Sequence, residues 1–372
     1  MPTPGAPRSW ASTTTTATAT TMATTITMGT TMDMATATTT ITTTPTTTST
    51  DTPMTIAVEL QAPDIKPHRA SNTGTDYVHT FDSGKPGPHV LVNALTHGNE
   101  ICGAIVVDRL LRRGLKPARG KLTFAFANIA AFERFDPANP YASRFVDEDF
   151  NRVWTPATLD GPRQSVELKR ARELRPIVAA ADYLLDIHSM LEPSPPVMIC
   201  GPLDKGIRFS FEVGVPEHIV SDTGHSNGTR MRDFGGFGDP ASPKNALLVE
   251  CGQHWERAAE RVATQTTWRF LKAVGAVEAA VADAEIDRDP PPPQRLIRVT
   301  EAVIANSPAF RFAREFTGLE VIPRRGDVIA YDGEEPVRAP YDNCVLVMPV
   351  PHNVKTGLTA VRLGRLETLQ NR

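Results

Sequence analysis

Three apolar runs in this chain each hand over to a side chain that can bind a metal or move a proton. VLVNAL at 90–95 leads into Thr96-His97, YLLDI at 183–187 into His188, and ALLV at 246–249 into Glu250. The first run adds a carboxylate, because His97-Gly98-Asn99-Glu100 sets Glu100 three residues after the histidine, where strand turns into helix. Two imidazoles and one carboxylate, with a coordination position left for water, are a recurrent catalytic zinc arrangement, whereas structural zinc sites fill all four positions with protein. The expected metal ligands are therefore His97, Glu100 and His188, and the expected cofactor is one Zn2+ per chain. Zinc would lower the pKa of a bound water towards about 7 and polarise a scissile carbonyl. A hydrolase also needs a group to take the water's proton and return it to the leaving nitrogen, and Glu250 is the candidate. Asp186, two residues before His188 and so on the same face of the strand, either orients that imidazole or is satisfied by backbone amides.

Taken singly, these residues say little. A lone histidine at a strand end is more often a hydrogen-bonded core or surface residue than a ligand, and HxxE alone is a weak motif. The combination of HxxE, a second strand-end histidine and a third strand-end carboxylate is what points to a metal centre. A second cluster, NPYASRFVDEDFNR at 139–152, reads as a loop in which Arg144 and Arg152 can each grip a carboxylate and Asn151 can fix a polar group of a ligand. The Gly-rich stretch at 224–239 does not match a phosphate-binding fingerprint and is expected to act as a lid, with Arg230 or Arg232 facing substrate. His68, His79, His89, His218, His225, His254 and His352 are expected to be structural or exposed.

The elements that must position these groups follow from periodicity. Nearly continuous apolar runs suit strands buried on both faces. Helical patterns at 100–113 and 165–181, the latter interrupted by Pro176, alternate with them, and KLTFAFAN at 121–128 reads as another strand. Alternating strands and helices predict an α/β domain with a largely parallel sheet. In open sheets of this kind the reactive crevice lies beyond the carboxyl ends of the strands, which is where His97, His188 and Glu250 fall. MTIAVEL at 54–60 is expected to be a strand, and 255–284 a single closing helix. The predicted organisation is a disordered Thr/Ala-rich leader at 1–53, a catalytic domain at 54–286, a stiff Pro-rich linker at 287–295 and a small C-terminal β-rich domain at 296–372. Met54 is a candidate start of the natural protein.

Composition narrows the function further. The 372 residues are 22% charged with a net charge of -3 and no Lys/Arg-rich block, so nothing marks a nucleic-acid surface. No apolar run approaches the roughly 20 residues of a membrane-spanning helix. Four scattered cysteines without a CxxC pair read as buried, reduced thiols of a cytoplasmic protein. Nothing in the sequence sets the oligomeric state, and a homo-oligomer is compatible with it.

THGNE at 96–100, DEDFNR at 147–152, LLDIH at 184–188 and LLVECG at 247–252 together resemble the succinylglutamate desuccinylase/aspartoacylase family of zinc-carboxypeptidase-like, M14-type metallohydrolases. The resemblance runs from about residue 54 to the C-terminus. It implies a carboxypeptidase-like core with a β-rich C-terminal domain, zinc held by His97, Glu100 and His188, Glu250 as general base, and Arg144, Asn151 and Arg152 binding substrate and polarising its acyl carbonyl. The implied reaction is hydrolysis of a small N-acyl amino acid or acylated diamino acid to a carboxylate and a free amine. Phe150 stands where the family's usual Asp-Leu-Asn-Arg has leucine, a packing swap. Animal aspartoacylases carry a substrate-contacting tyrosine shortly after the segment matching MPVPHN at 348–353. Here Val354-Lys355-Thr356-Gly357 follows, which favours another acyl amino acid over N-acetylaspartate. The rival readings are a zinc carboxypeptidase acting on peptides and a non-catalytic binding protein on the same fold.

Overall fold

The computed structural model describes residues 57–224, 227–352 and 354–367. The expected leader at 1–53, the candidate start at Met54, and His225 and Asn353 lie outside the described residues. Up to the Pro-rich run the elements are β1 (Val78–Asp82), β2 (His89–Ala94), α1 (Ile101–Arg112), β3 (Lys121–Phe126), α2 (Ile129–Phe132), α3 (Pro156–Asp160), α4 (Val166–Ala180), β4 (Tyr183–Met190), β5 (Val197–Ile199), α5 (Asp204–Val213), β6 (His218–Ser221), β7 (Asn245–Gln253), α6 (Arg257–Ala273) and α7 (Ala279–Asp283). Seven strands follow: β8 (Arg295–Ile304), β9 (Phe310–Phe312), β10 (Val321–Ile322), β11 (Val328–Asp332), β12 (Glu335–Arg338), β13 (Cys344–Val347) and β14 (Thr359–Glu367).

Eleven of these strands form one mixed sheet in the order β1-β3-β2-β4-β7-β5-β6-β8-β14-β13-β10, and β12-β11-β9 form a small second sheet. β3, β2, β4 and β7 run parallel at its centre, as their uninterrupted apolar sequences predict. Side-chain alternation divides β2 between two cores: Val90, Val92 and Ala94 pack with α1 and α6, while Leu91 packs with α4. Burial on both faces explains why these strands show no polar alternation. Four of the seven C-terminal strands are not a separate sheet. β6 pairs in parallel with β8, and β14, β13 and β10 continue from it antiparallel. Hydrogen bonding therefore passes across the Pro-rich run, whose residues 290–294 carry no regular element.

Two expected elements differ. In MTIAVEL the described residues 57–60 form no strand, because the Glu59 and Leu60 amides both turn onto the Trp255 carbonyl at 3.0 and 3.2 Å instead of a neighbouring strand. The closing helix is two helices. Gly275, at φ 63°, lets the Ala276 amide reach the Leu271 carbonyl at 2.9 Å, which ends α6 before α7 begins. The Pro176 within α4 does not interrupt it, and Ser165 caps its first turn by accepting from the Leu168 amide at 2.9 Å. All four cysteines are buried and unbridged.

Candidate metal centre and active site

β2 ends at a residue under strain. Leu95 is fully buried at φ 61°, a left-handed conformation that costs a branched side chain roughly 1–3 kcal/mol. This turn swings Thr96 and His97 out of the sheet plane towards β4. Gly98 permits the next close approach: a Cβ there would lie 2.4 Å from the Ala131 carbonyl carbon and 2.5 Å from the Ser143 oxygen. Its amide donates to the Arg144 carbonyl at 3.1 Å, pinning the 139–152 loop over the first ligand pair.

His97, Glu100 and His188 come together, with one ligand atom from each lying within 4.8 Å of the others. His97 Nδ1 is 2.7 Å from Glu100 Oε1, and His188 Nδ1 is 2.8 Å from Glu100 Oε2. The far nitrogens are held by two other carboxylates. His97 Nε2 sits 3.0 Å from Asp149 Oδ1, and His188 Nε2 sits 2.9 Å from Asp186 Oδ2. A proton kept on His188 Nε2 by Asp186 leaves its Nδ1 lone pair pointing at the shared centre, the orientation that metal-bound histidines take from such partners, while His97 Nε2 is shared between Asp149 and the Arg144 guanidinium, also at 3.0 Å. Asp186 accepts from the Asn93 amide and the Thr96 hydroxyl, both at 2.8 Å, so side chains and not backbone amides satisfy it.

The charges at this centre are far from their usual balance. Burial pushes the Glu100 carboxyl up, but the adjoining His97 and His188 imidazoles outweigh it and hold the group well below the ordinary carboxylate range. Burial likewise opposes the His188 charge, yet Asp186 and Glu100 raise it well above the usual histidine value. Asp149 is held well below its usual value against burial, by His97, Arg144 and Arg152. Carboxylates surrounding two buried imidazoles are a demand for positive charge, and with a coordinating Nδ1 pair and a carboxylate the residues fit a divalent cation of zinc type.

Glu250 stands directly across from His188 in the β4–β7 register. Burial pushes its carboxyl up to about 8, and its Oε2 has no hydrogen-bond partner among the described residues. An isolated buried carboxyl beside a metal-type cluster is chemically poised: it keeps its proton to a higher pH than an ordinary carboxyl, and a cation bound at the cluster would favour its ionised, proton-accepting form.

The 139–152 loop delivers the cationic groups. Arg144 lies 3.3 Å from Glu100 and 3.4 Å from Asp149, with its side chain 37% exposed. Arg152 is 3.8 Å from Asp149, and burial, reinforced by the charges of Arg144, Arg230 and Arg362, pulls its guanidinium down to about 10 despite Asp149. Asn151 uses its Oδ1 to accept from the Met231 amide at 2.9 Å. Arg230 is placed differently from expectation. Its Nε bonds Asp233 at 2.7 Å and its two terminal nitrogens bond Asp222 at 3.1 and 2.6 Å, so a substrate carboxylate would have to displace both acids. Arg232 donates to the Cys200 and Ala246 carbonyls, each at 2.9 Å. The described part of the expected lid, 227–239, is anchored by the buried Met231 and Phe237 and forms two short 3-10 turns.

Three contributors were not singled out from sequence. Asp149 was legible only as part of DEDFNR, and its signal is its place just before the Phe150–Arg152 turn, where its side chain also accepts from the Asn151 amide at 2.8 Å. Glu167, fully buried, accepts from the amides of Val146, Asp147 and Glu148 at 2.6, 3.0 and 3.3 Å and so fixes the loop that carries Arg144. Arg362, on β14, is buried 3.6 Å from Asp222 and acts electrostatically on Arg152, which brings a C-terminal strand to the site's edge.

Comparison with known proteins agrees with this geometry. Residues 86–199 match the succinylglutamate desuccinylase/aspartoacylase catalytic domain. An N-acyl-aromatic-L-amino acid amidohydrolase (carboxylate-forming) of Rattus norvegicus is 32% identical over 120 residues, 29% of this chain and 35% of that protein. A succinylglutamate desuccinylase of Pseudoalteromonas atlantica is 30% identical over 121 residues, 28% of this chain and 32% of that protein. The chain thus matches about a third of the length of these curated relatives. A solved succinylglutamate desuccinylase from Vibrio cholerae shares the fold with a TM-score of 0.56 at 18% identity, covering 78% of this chain and 86% of the other. No helix among the described residues is long and apolar enough to cross a membrane. The catalytic-domain match spans β2 to β5 and includes His97, Glu100 and His188, so over residues 86–199 the chain is similar to the succinylglutamate desuccinylase/aspartoacylase family.

Proposed function

We propose that this protein is a zinc-dependent amidohydrolase that releases a carboxylate and a free amine from a small N-acyl amino acid or acylated diamino acid. The observation that carries the reading is the pairing of three converging ligand atoms with a buried Glu250 whose Oε2 has no hydrogen-bond partner among the described residues, across from His188. His97, Glu100 and His188 would hold the ion, with Asp149 and Asp186 fixing the two imidazoles. Zinc supplies a lowered pKa for the attacking water and an electrophilic pull on the acyl carbonyl. With a cation bound beside it favouring the ionised form, the Glu250 carboxylate would take the water's proton and deliver it to the departing nitrogen, a role suited to a carboxyl that titrates near neutral pH. Arg152 steadies negative charge developing on the acyl oxygen, Arg144 at the open side pairs with a substrate carboxylate, and Asn151 is held by Met231 to position the ligand.

The test is a panel of formyl, acetyl and succinyl amino acids and short peptides, assayed in chelated protein and after zinc is returned. Zinc-restored turnover of at least one acyl amino acid is expected. Turnover unchanged by chelation, or confined to peptides, overturns the proposal.

A further inference from the structure

Away from the metal centre lies a cleft of about 350 Å³ whose residues the proposed chemistry leaves unused. That volume is at the small end of ligand pockets, which span roughly 300–1,000 Å³. One wall is a stripe of α6 formed by Val262, Thr266 and Arg269, spaced three and four apart on one helix face. The other wall is proline: Pro195 and Pro196, Pro216, and the run at 290–292. Proline rings present a stiff apolar surface with no amide to satisfy.

The ionic groups around the cleft sort by whether they are paired. Arg261 holds Asp287 at 3.1 and 2.9 Å, and Glu217 lies 3.3 Å from Arg295. Arg269 and Asp289 remain, a cation and an anion that line the cleft without an ion pair or hydrogen bond among the described residues. Arg269 Nε is buried with no acceptor, and so is the Thr266 hydroxyl. Its helix neighbours Thr264 and Thr267 bond the carbonyls one turn back at 2.8 and 2.7 Å, which makes the unsatisfied Thr266 the exception on α6. Buried polar groups are ordinarily paired.

One free positive group, one free and exposed negative group at the rim, and a mostly apolar lining match a zwitterion with an apolar side chain. We propose that this cleft is a second binding site, distinct from the metal centre, for a free α-amino acid with an apolar or aromatic side chain. Its carboxylate pairs with Arg269, its ammonium with Asp289, and its side chain lies between Val262 and the prolines. Binding is non-covalent and needs no metal, so it stands apart from the catalytic reading.

Titration calorimetry on the metal-stripped full chain tests this with L-phenylalanine, L-phenylalanine amide and 3-phenylpropanoate. Phenylalanine should bind, and the two analogues, lacking one charge each, should bind at least tenfold more weakly. Arg269→Gln and Asp289→Asn should each weaken phenylalanine by tenfold or more without lowering the melting temperature. Arg269→Lys, which keeps the charge but not the fork, should fall between, and it and Asp289→Asn carry the test if Arg269→Gln melts early. No binding of phenylalanine overturns the proposal. So does 3-phenylpropanoate binding as tightly with Asp289→Asn silent, which would mean a simple carboxylate site. Heat that Arg269→Gln leaves intact and Arg144→Gln removes would belong to the catalytic centre and also overturns it.

Discussion

Replacing Glu250 by glutamine removes one ionisable proton and changes little else, because the shapes match and the Oε2 position has no partner to lose. In metal-stripped protein the wild-type carboxyl titrates near 8 when folded and near 4.5 when unfolded. The folded state therefore binds the extra proton between those values, so stability is fully present below about 4.5, falls as pH rises through that window, and levels off above 8. At about 1.4 kcal/mol per pH unit, keeping Glu250 protonated at pH 7 costs the wild type about 3 kcal/mol relative to an uncharged residue. Glu250→Gln should thus be more stable than wild type at pH 7 by up to that amount, several degrees of melting temperature, and indistinguishable from it at pH 4.5. Thermal unfolding followed by circular dichroism across pH 4.5–8.5, with chelator present, measures the difference curve. With zinc returned, the same variant should lose on the order of 100- to 10,000-fold in kcat on the acyl amino acid that wild type turns over. Parallel melting curves would refute the burial argument, and retained turnover would refute the proton-transfer role.

Asp149→Asn and Asp186→Asn should each weaken zinc binding by roughly 10–100-fold, read by competition with a chromophoric chelator, because each removes the carboxylate that fixes a ligand imidazole. Glu167→Gln should cost about 1–3 kcal/mol in urea unfolding and raise KM more than it lowers kcat, since the loop bearing Arg144 loses a charged acceptor for three amides. Gly98→Ala should fold poorly or melt well below wild type in a thermal-shift assay, because its Cβ would meet backbone on two sides. Saturating zinc should raise the melting temperature of the stripped protein, with an increment that grows with free zinc concentration.

Residues at strand ends were legible in the sequence because the apolar runs mark the strands and the strands of an open parallel sheet share one functional edge. His97, His188 and Glu250 follow directly from that rule, and Glu100 follows from its spacing to His97. Asp149 and Glu167 were not legible, since each acts on a segment reached only through folding: Asp149 on a histidine 52 residues earlier, Glu167 on amides about 20 residues earlier. Arg230 misled for a related reason. An arginine in a Gly-rich loop looks available, and nothing local announces that Asp222, eight residues before it, has already engaged its guanidinium. The two misplaced elements failed on backbone terms: Gly275 could be read as tolerated within a helix, and the described part of MTIAVEL, 57–60, has strand-like side chains but spends two amides on the Trp255 carbonyl.

The pairing of β6 with β8 joins the chain's two halves at a seam of main-chain bonds. A chain cut at the Pro-rich run would bare the flank of His218–Ser221, an open ribbon apt to recruit another molecule. Such a fragment should clump instead of working alone, and the intact protein from residue 57 onward should come apart in one concerted melting event.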